Sequence, residues 1–351
     1  MSVSCAPLCG IAWRRQLDRF SIPEPLKIPV IVLNWNGWED TFACLRSLSE
    51  AAEASDVWLV DNGSSIDRSE ECRNICPGLR VLRWSENYGW AGGYNRALKP
   101  ALDEGYEFAY LLNNDCSVSH GFLQACLEPM VSNRKLAAVG SVIVFDENGG
   151  RWIKFDGKYH SLGETPLHQD LQPGVRKTSE VNGAGMLLRL AALEHAGAFD
   201  ERFFCYSEES EWCRRMSRKG WQIAVAPASL VFHKCEGSNR SWNSRYYRMR
   251  NQFLLKECLE QSLTWREKWE TARGILLEVY PEWRNRNRDA YLATIEGLRD
   301  GWLRHFGKRG EVRSRWPLRL VTGCFLWHWH CRSNLKLGTR IRKGLSWISA
   351  K

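Results

Sequence analysis

Asp115 is a residue whose type and position suggest a chemical role. It closes the polar segment 113–115, which follows an apolar run. Hard divalent cations such as Mg²⁺ take oxygen ligands, typically one or two protein carboxylates together with substrate phosphates. Asp115 is therefore a candidate ligand for a cation that neutralises a diphosphate. A carboxylate at a strand end is also commonly a cap or turn residue, and that alternative stays open.

A second cluster is acidic and has aromatic neighbours. Glu208, Glu209 and Glu211 fill three of four consecutive positions, after the segment 203–206 (FFCY) and before Trp212. Mutual repulsion and an apolar environment both raise the pKa of a carboxylate, and a carboxylate with a raised pKa can act as a general base. The alternative is an acidic first helical turn that complements the helix dipole.

Two further segments carry candidate binding groups, one for a metal ion and one for a diphosphate. His233 ends a predicted strand and is a candidate metal ligand, although a solitary histidine is more often structural. The segment 87–96 places glycines at the start of a predicted helix, where the backbone could approach a diphosphate with Arg96 as charge partner. It lacks the G-x-G-x-x-G spacing, so it gives little support to a dinucleotide fold.

Strands that alternate with helices must position these residues. The runs 28–33, 57–60, 79–82 and 108–112 predict buried strands, and helices are predicted after Gly37 and over 91–102. This alternation implies a parallel α/β sheet with right-handed crossovers. Ligands bind at the carboxyl ends of the strands in such sheets. Polar side chains at those ends are expected to converge, namely Asn34, Asn36, Asp61, Asn62, Asn113 and Asp115.

The second half of the chain is less regular. Residues 146–178 predict loops and hairpin strands. The elements predicted after them are a strand over 181–188, a helix over 190–196, a helix over 208–219 and a strand over 223–232 that is broken at Pro227. From Tyr246 onward the pattern is helical. An apolar stripe predicts a last helix that ends at Gly307; its members are Tyr291, Ile295, Leu298, Trp302 and Phe306.

The composition is that of an ordinary globular protein. The length of 351 residues predicts two units, or one large domain with an appendage. Of these residues 44% are hydrophobic and 25% are charged, which is close to the average of soluble globular proteins. No run of about 18 apolar residues exists and the first 27 residues lack the apolar core of a signal peptide, so neither a spanning helix nor secretion is expected. The 13 scattered cysteines, with no C-x-x-C pair, predict reduced thiols in the cytoplasm.

Eight ordered motifs between residues 28 and 255 resemble glycosyltransferase family 2, in particular its bacterial rhamnosyltransferase branch. The motifs are 32–37 (VLNWNG), 60–64 (VDNGS), 86–95 (ENYGWAGGYN), 111–115 (LLNND), 181–186 (VNGAGM), 199–204 (FDERFF), 208–212 (EESEW) and 231–234 (VFHK). The resemblance implies an α/β GT-A fold with a Rossmann-like mixed sheet and a C-terminal helical extension. It also implies inverting transfer of a hexose from a nucleotide-diphosphate donor.

The resemblance assigns roles by position. Glu209 stands where the family has its catalytic base, and Glu208 could share that role. Asp115 and His233 stand at metal-ligand positions for Mg²⁺ or Mn²⁺. The expected nucleotide-binding residues are Asn34, Asn36, Asp61, Asn87, Asn95, Arg96, Asn113 and Asn114. The residues expected to bind donor or acceptor are Gly183, Ala184, Glu211 and Trp212.

Two positions depart from the family pattern. Asn113 replaces the first Asp of the D-x-D metal motif, which removes one negative charge, and Glu209 replaces the usual Asp, which moves the carboxylate outward by one methylene. Misplacing a reacting group by about 1 Å can cost on the order of 100-fold in rate. A catalytically weak nucleotide-sugar or carbohydrate-binding subunit of a polysaccharide assembly complex is therefore the alternative to an enzyme.

The leading donor on resemblance is dTDP-L-rhamnose, with uridine-diphosphate sugars second. The acceptor would be a saccharide or a lipid-linked saccharide in the synthesis of cell-surface polysaccharide such as lipopolysaccharide. We divide the chain into an N-terminal extension (1–27), a GT-A domain (28–255), a helical extension (256–310) and a basic, Trp-rich tail (311–351).

The basic tail carries most of the net charge of +9, because nine Lys or Arg and one acid lie between 311 and 351. Its apolar cluster over 318–329 is too short to span a bilayer and suits a segment lying among lipid headgroups. The tail predicts peripheral contact with the anionic inner face of the cytoplasmic membrane. A helical subdomain packed on the core is the alternative. Nucleic-acid binding is not expected, since no recognised module is present.

Overall fold

A computed structural model describes residues 26–51, 56–147, 150–155, 158–161, 174–234, 242–260, 262–285 and 287–309. The predicted basic tail and nearly all of the predicted N-terminal extension lie outside these ranges.

The first part of the chain alternates strands with helices, as the apolar runs predict. The four strands are parallel and stand in the order β3-β2-β1-β4. Their order along the chain is β1 Pro29–Asn34, α1 Trp38–Ala51, β2 Asp56–Asp61, α2 Ser69–Ile75, β3 Arg80–Arg83, α3 Gly89–Asp103 and β4 Phe108–Asn113.

Helices cover both faces of these four strands. Phe42 and Leu45 of α1 pack on one face, and Tyr94 and Leu98 of α3 pack on the other. Residues 30–32 in the middle of β1 are consequently buried without exception. A strand buried on both sides has no polar face, which is why this segment reads as a continuous apolar run rather than an alternating one.

The second part of the chain makes the sheet mixed rather than wholly parallel. β10 runs antiparallel between β4 and β6, β11 is parallel to β6, and β5 closes that edge antiparallel to β11. The elements are β5 Cys116–Val118, α4 Phe122–Ser132, β6 Leu136–Glu147, β7 Gly150–Phe155, β8 Lys158–Ser161, β9 Arg176–Thr178, β10 Gly185–Arg189, α5 Leu190–Ala196, a 3₁₀ turn Glu201–Phe203, α6 Glu208–Arg218 and β11 Gln222–His233.

Two strands in this part differ from the sequence-based expectation. β10 begins at Gly185 rather than at residue 181, because Asn182 makes a turn in which its Oδ1 accepts from the Ala184 N–H (2.8 Å). β11 is not ended by Pro227. Its pairing with β6 shifts register between Ala226 and Leu230, so the residues around the proline bulge out and the strand continues to His233.

Three helices follow the sheet: α7 Trp242–Glu260, α8 Trp265–Arg284 and α9 Arg288–Trp302. They enclose a core of their own that includes Phe253, Ile275 and Leu298. The division proposed between residues 255 and 256 falls inside α7, which is continuous there. No helix in the described part of the chain is both long and apolar enough to cross a bilayer.

The last helix ends earlier than its apolar stripe predicts. α9 stops at Trp302, and Arg304, two residues later, has a positive φ of 60°. The Arg304 N–H donates to Gly301 O (3.2 Å) and the His305 N–H to Asp300 O (2.8 Å). These two bonds are the Schellman pattern that terminates helices. Residue 306 therefore lies beyond the helix, just before Gly307, whose N–H donates to Arg202 O in the 3₁₀ turn.

Candidate active site

Asn34 and Asn114 join the loops that follow β1 and β4. The side chain of Asn34 is wholly buried, and its Oδ1 accepts from the Gly37 N–H (2.9 Å) and from Asn114 Nδ2 (3.2 Å). Asn114 Nδ2 also lies 3.0 Å from Gly37 O and 3.0 Å from Thr41 Oγ1. The two amides thus hold the start of α1 against the end of β4.

The loop after β2 joins the same group. Asp61 is buried; its Oδ1 accepts from the Ser64 N–H (3.0 Å), and its Oδ2 lies 3.5 Å from Arg83 Nε. Among the described residues, no hydrogen bond reaches that Oδ2. Ser64 Oγ accepts from the N–H of Asn36, whose φ is 58° and whose own Oδ1 accepts from Ser65. A buried carboxylate oxygen without a hydrogen bond can accept one from a bound group.

Asn87 lies at the start of α3, beside the loop after β2. Its Oδ1 accepts from the Gly89 N–H (2.8 Å) and from Asn62 Nδ2 (3.1 Å). The Tyr88 N–H in turn donates to Asn62 Oδ1 (3.1 Å). The structure therefore brings Asn87 next to the predicted nucleotide residues through Asn62, a strand-end residue to which the family resemblance assigns no role.

Asn95 and Arg96 lie deeper in α3 and face a different segment. Asn95 pairs with the backbone of Phe199, accepting from its N–H (3.1 Å) and donating to its carbonyl (2.9 Å). Arg96 forms an ion pair with Glu201 (3.2 Å) and lies over the Tyr88 ring. The structure does not bring these two side chains into the strand-end group. It uses them to hold the segment before α6.

Asp115 and His233 meet at the edge of the sheet. β5 and β11 pair antiparallel with His233 opposite Cys116, and the Lys234 N–H donates to Asp115 O (3.0 Å). His233 Nε2 consequently lies 3.1 Å from Asp115 Oδ1 and 3.0 Å from Oδ2. Both side chains keep partial access to solvent. The Cys116 thiol completes a group whose potential ligand atoms all lie within 4.8 Å of one another.

The donor set at this edge fits a hard divalent cation. A carboxylate and a neutral imidazole each offer a lone pair there, and two protein ligands leave coordination positions for water and phosphate oxygens. Cys116 is buried beneath them. Sequence reasoning missed this thiol, and its position directly after Asp115 was the only signal.

Trp90 connects Asn113 with the turn before β10. The Asn113 Oδ1 accepts from Trp90 Nε1 (3.1 Å), and its backbone N–H donates to Ala184 O (3.1 Å). A Cβ on Gly183 would lie 2.7 Å from the Trp90 ring, so this turn can approach the indole only without a side chain. Trp90 is a second residue of the site to which the motifs assign no role.

The three acidic residues of α6 have different environments. Glu208 is buried, its Oε2 receives no hydrogen bond among the described residues, and burial together with the nearby Glu209 raises its pKa. Glu211 is also buried, and Arg215 binds both of its carboxylate oxygens (2.9 and 3.0 Å). Glu209 is therefore the one carboxylate of this first turn that keeps partial access to solvent.

Trp212 faces the protein interior. Its side chain is wholly buried, its Nε1 donates to Gly197 O (3.1 Å), and its ring lies 5.6 Å from that of Phe199. Glu211 acts on the same segment through Arg215, which donates to the carbonyls of residues 196–198. The structure therefore gives both residues contacts within the protein and leaves the predicted substrate contact without a geometric counterpart.

The segment 203–207 before α6, here called the base loop, has an unusual backbone. Phe204 has φ 64° and ψ −60°, with the Cys205 N–H donating to Phe203 O (2.8 Å) across a tight three-residue turn. Tyr206 and Ser207 also have positive φ. Such conformations cost about 1–3 kcal/mol each and cluster at functional sites.

The base loop also caps the N-terminus of helix α3. Phe204 O accepts from the N–H groups of Trp90 (2.7 Å) and Ala91 (3.3 Å), which are free donors of the first helical turn. Trp90 thus makes contacts on two sides. Its indole contacts Asn113 at the end of β4, and its backbone binds the loop that leads to Glu209.

The sequence of the chain matches a known family. The sequence model described as "Glycosyl transferase family 2" matches residues 30–220, more than half of the chain. The chain belongs to this family. The predicted membership is therefore confirmed.

Curated relatives within family 2 include rhamnosyltransferases. N-acetylglucosaminyl-diphospho-decaprenol L-rhamnosyltransferase of Mycobacterium tuberculosis is 26% identical over 240 residues, 61% of this chain and 78% of that protein. The dTDP-rhamnosyl transferase RfbF of Shigella flexneri is 25% identical over 217 residues, 57% of this chain and 70% of that protein. This family 2 chain is a rhamnosyltransferase-like member.

Solved structures with the same fold include other glycosyltransferases. GalNAc-T7 with UDP, GalNAc and Mn²⁺ matches with a TM-score of 0.52 and 16% identity, over 67% of this chain and 48% of that one. The mannosyltransferase PcManGT of Pyrobaculum calidifontis with GDP-Man and Mn²⁺ matches with a TM-score of 0.50 and 14% identity, over 79% and 85%. The predicted GT-A fold with a helical C-terminal part is confirmed.

Proposed function

We propose that this glycosyltransferase moves L-rhamnose, with inversion, from dTDP-rhamnose to a saccharide or lipid-linked saccharide acceptor. The observation that carries the proposal is the pair formed by Asp115 and His233, 3.0 Å apart at the strand-end edge. Buried amides lie at the other strand ends, together with a buried carboxylate of which one oxygen receives no hydrogen bond among the described residues. These are the groups that a nucleoside, its diphosphate and a cation require.

Asp61 is the proposed contact for the nucleobase. Its buried Oδ2 receives no hydrogen bond within the described ranges and can accept one from a base N–H. Asn34, Asn36 and Ser64 hold the surrounding backbone in place. Because these groups belong to a hydrogen-bonded network, the nucleoside would meet groups that are already oriented.

Asp115 and His233 would hold Mg²⁺ or Mn²⁺. When bound there, the cation would stabilise the charge that develops on the departing diphosphate. Asn113 differs from a second carboxylate at this position, because its amide is neutral and one lone pair of its Oδ1 already accepts from Trp90 Nε1. The Mn²⁺ bound in the structures of GalNAc-T7 and PcManGT supports a divalent cation in this fold.

Glu209 is the proposed general base, which removes the proton of the acceptor hydroxyl as that oxygen attacks the sugar C1. The choice of Glu209 among the three glutamates of α6 rests on its access to solvent. Glu208 is buried, and burial raises its pKa, which favours the protonated form, while Glu211 forms an ion pair with Arg215. A protonated Glu208 also spares Glu209 a second negative charge at close range.

The names of two relatives support the donor and acceptor classes. The Shigella protein is named for dTDP-rhamnose and the mycobacterial protein for an L-rhamnosyl transfer to a lipid-linked diphosphosugar. A donor panel tests the proposal: dTDP-rhamnose, UDP-glucose, UDP-N-acetylglucosamine and GDP-mannose, each with Mn²⁺ and each with EDTA. We expect turnover with dTDP-rhamnose that EDTA suppresses.

Other outcomes of the panel would reject specific parts of the proposal. Turnover of a uridine-diphosphate sugar alone would reject the donor, and full turnover in EDTA would reject the cation. Nucleotide-sugar binding without turnover on any acceptor supplied would favour the alternative, a binding subunit, for which Asn113 and Glu209 are the motivating departures. Asp103→Asn, an exposed exchange on α3, is a suitable control variant.

Peripheral contact with an anionic membrane is proposed from sequence alone, for the tail over 311–351. The support is its basic, Trp-rich composition and the lipid-linked acceptor in the name of the mycobacterial relative. Flotation with phosphatidylglycerol vesicles tests it. The full chain is expected to float and a chain that ends at residue 309 is not. Equal flotation of both would reject the docking role, and flotation of neither would reject membrane contact.

A further inference from the structure

Arg250 and Asn251 of α7 are buried side chains that the catalytic account leaves unused. Both have no exposed surface, although they are a charged and an amide residue in the middle of a helix. Their polar groups point at the base loop, the segment 203–207 that precedes α6. Polar groups are buried at this depth only where their hydrogen bonds are satisfied.

The side-chain NH2 of Asn251, which has two N–H donors, lies within hydrogen-bond distance of three carbonyl groups of the base loop. Its Nδ2 lies 3.1 Å from Phe203 O, 2.8 Å from Cys205 O and 2.7 Å from Tyr206 O. The remaining carbonyl in this run, that of Phe204, points instead to the N-terminus of α3. One amide group therefore contacts three of the four carbonyls of residues 203–206.

Arg250 fixes both Asn251 and the entry of the loop. Its Nε donates to Asn251 Oδ1 (2.9 Å), which sets the orientation of that amide. Its Nη2 donates to Phe203 O (2.7 Å) and Arg202 O (3.1 Å), and its Nη1 donates to Gly307 O. The guanidinium also lies over the Tyr247 ring at 4.7 Å, where the π face favours a cation.

The loop needs such a support because its backbone is strained. Positive φ angles at Phe204, Tyr206 and Ser207 persist only where the surroundings dictate them. Ser207 is the last residue before α6, and Glu209 lies in the first turn of that helix. Relaxation of the loop would therefore rotate or shift the start of α6 and carry Glu209 with it.

We infer that Asn251 and Arg250 are positioning residues, which hold the base loop in the conformation that places Glu209 at the acceptor hydroxyl. Asn251 acts directly on the loop, and Arg250 acts on it partly through Asn251. The inference rests on the proposed role of Glu209. It gives the helical part after the sheet a function in the transfer step, beyond packing.

Kinetics of Asn251→Ala in the full chain test the inference. The substitution should displace Glu209 and leave the donor-binding residues in place, so kcat for transfer should fall by about 100-fold. KM for the nucleotide sugar and the Kd of its nucleoside diphosphate should stay within about threefold. Thr294→Ala is the matched control: Thr294 is buried in the same helical layer, and its hydrogen bonds within the described part of the chain go to Arg245 and to Ala290 O rather than to the base loop.

A double variant separates this inference from the assignment of the base. If Asn251 acts through Glu209, Asn251→Ala combined with Glu209→Gln should lose no more kcat than Glu209→Gln alone. Multiplied losses, or equal losses of kcat in Asn251→Ala and Thr294→Ala at equal loss of Tm, would overturn the positioning role. Near-normal turnover of Glu209→Gln would instead overturn the base.

Arg250→Lys provides the same test should Asn251→Ala fail to fold. It keeps the positive charge and removes the planar fork that reaches Arg202 O, Phe203 O and Gly307 O. A drop in kcat with unchanged KM would support the inference. Unchanged kcat in a folded Arg250→Lys protein that has lost thermal stability would overturn it.

Discussion

The imidazole Nε2 of His233 lies 3.0 Å from Oδ2 of Asp115, although 118 positions separate the two residues in the chain. The pairing of β5 with β11 causes this closeness, since it sets His233 opposite Cys116, the residue after Asp115. A carboxylate and an imidazole held by adjacent strands need little rearrangement to share a ligand. The arrangement leads directly to a prediction about the metal.

Asp115→Asn should abolish tight binding of Mn²⁺ and lower transfer at least about 100-fold, because the neutral amide cannot supply the charge that a hard cation requires. Isothermal titration with Mn²⁺ and a transfer assay measure the two effects. Asp103→Asn, an exposed carboxylate paired with Lys99, should change neither. Wild-type affinity for Mn²⁺ in Asp115→Asn would contradict the assignment.

The three glutamates of α6 should respond differently to the same exchange. Glu209→Gln should reduce kcat by about 100- to 10,000-fold with the Kd for the nucleoside diphosphate unchanged, since removal of a general base costs that much. Glu208→Gln should retain most of the activity. Glu211→Gln should mainly lower stability, because Arg215 loses its ion pair.

Steady-state kinetics of the three purified variants, with Tm measured beside them, decide between the candidates for the base. A larger loss in Glu208→Gln than in Glu209→Gln would transfer the role of base to Glu208.

Glu208 should make stability depend on pH. Burial, followed by the proximity of Glu209, raises the pKa of Glu208 in the folded chain. Stability is therefore fully present below the unfolded pKa, about 4.3, and falls as the pH rises toward the folded pKa, by about 1.4 kcal/mol per pH unit. Glu208→Gln cannot ionise, so it should raise Tm at pH 8 and change it little near pH 4.

Thermal unfolding of both proteins across this pH range is the measurement. A Tm difference that stays constant with pH, or a lower Tm of Glu208→Gln at pH 8, would show that ionisation of Glu208 carries no such cost.

Gly89→Ala should damage both stability and transfer. Residue 89 has φ 75°, and a Cβ there would lie 2.2 Å from Phe204 O, the carbonyl that binds the first turn of α3. Gly105→Ala is the matched control, with φ 81° and nothing within 4 Å of its Cβ. Both variants pay for the left-handed backbone, about 1–2 kcal/mol, and only Gly89→Ala adds a steric conflict of about 1–3 kcal/mol.

Urea denaturation and kcat of the two glycine variants measure these effects. If Gly105→Ala is as unstable and as inactive as Gly89→Ala, the backbone conformation alone is responsible and the contact with Phe204 is not important.

The strands of the parallel part and the helices α1 and α3 were predictable because each has a local signal, whereas the short helix α2, Ser69–Ile75, was not predicted. β1 reads as a continuous apolar run since helices cover both faces, and the helix faces show their periodicity. The continuation of β11 beyond Pro227 was not predictable in the same way. It depends on a bulge, and pairing with β5 and β6 carries the strand on to His233.

The site was predictable at its strand ends and less so elsewhere. Asn34, Asp61, Asp115 and His233 lie where the topology of the sheet requires. The choice between Glu208 and Glu209 needed burial, which adjacent residues of one type cannot reveal. Arg250 and Asn251 resemble surface residues of a helix in the sequence, because the loop that buries them lies more than forty positions away.

The close fit between Gly183 and Trp90 restricts how this enzyme can diverge. A side chain at position 183 would run into Cζ2 and Cη2, the outer atoms of the indole. Position 183 can therefore gain a methyl group only in a lineage where residue 90 has first become smaller. Such a lineage would also forfeit the indole N–H that holds Asn113, so the two exchanges are expected to appear together with a compensating residue at 113.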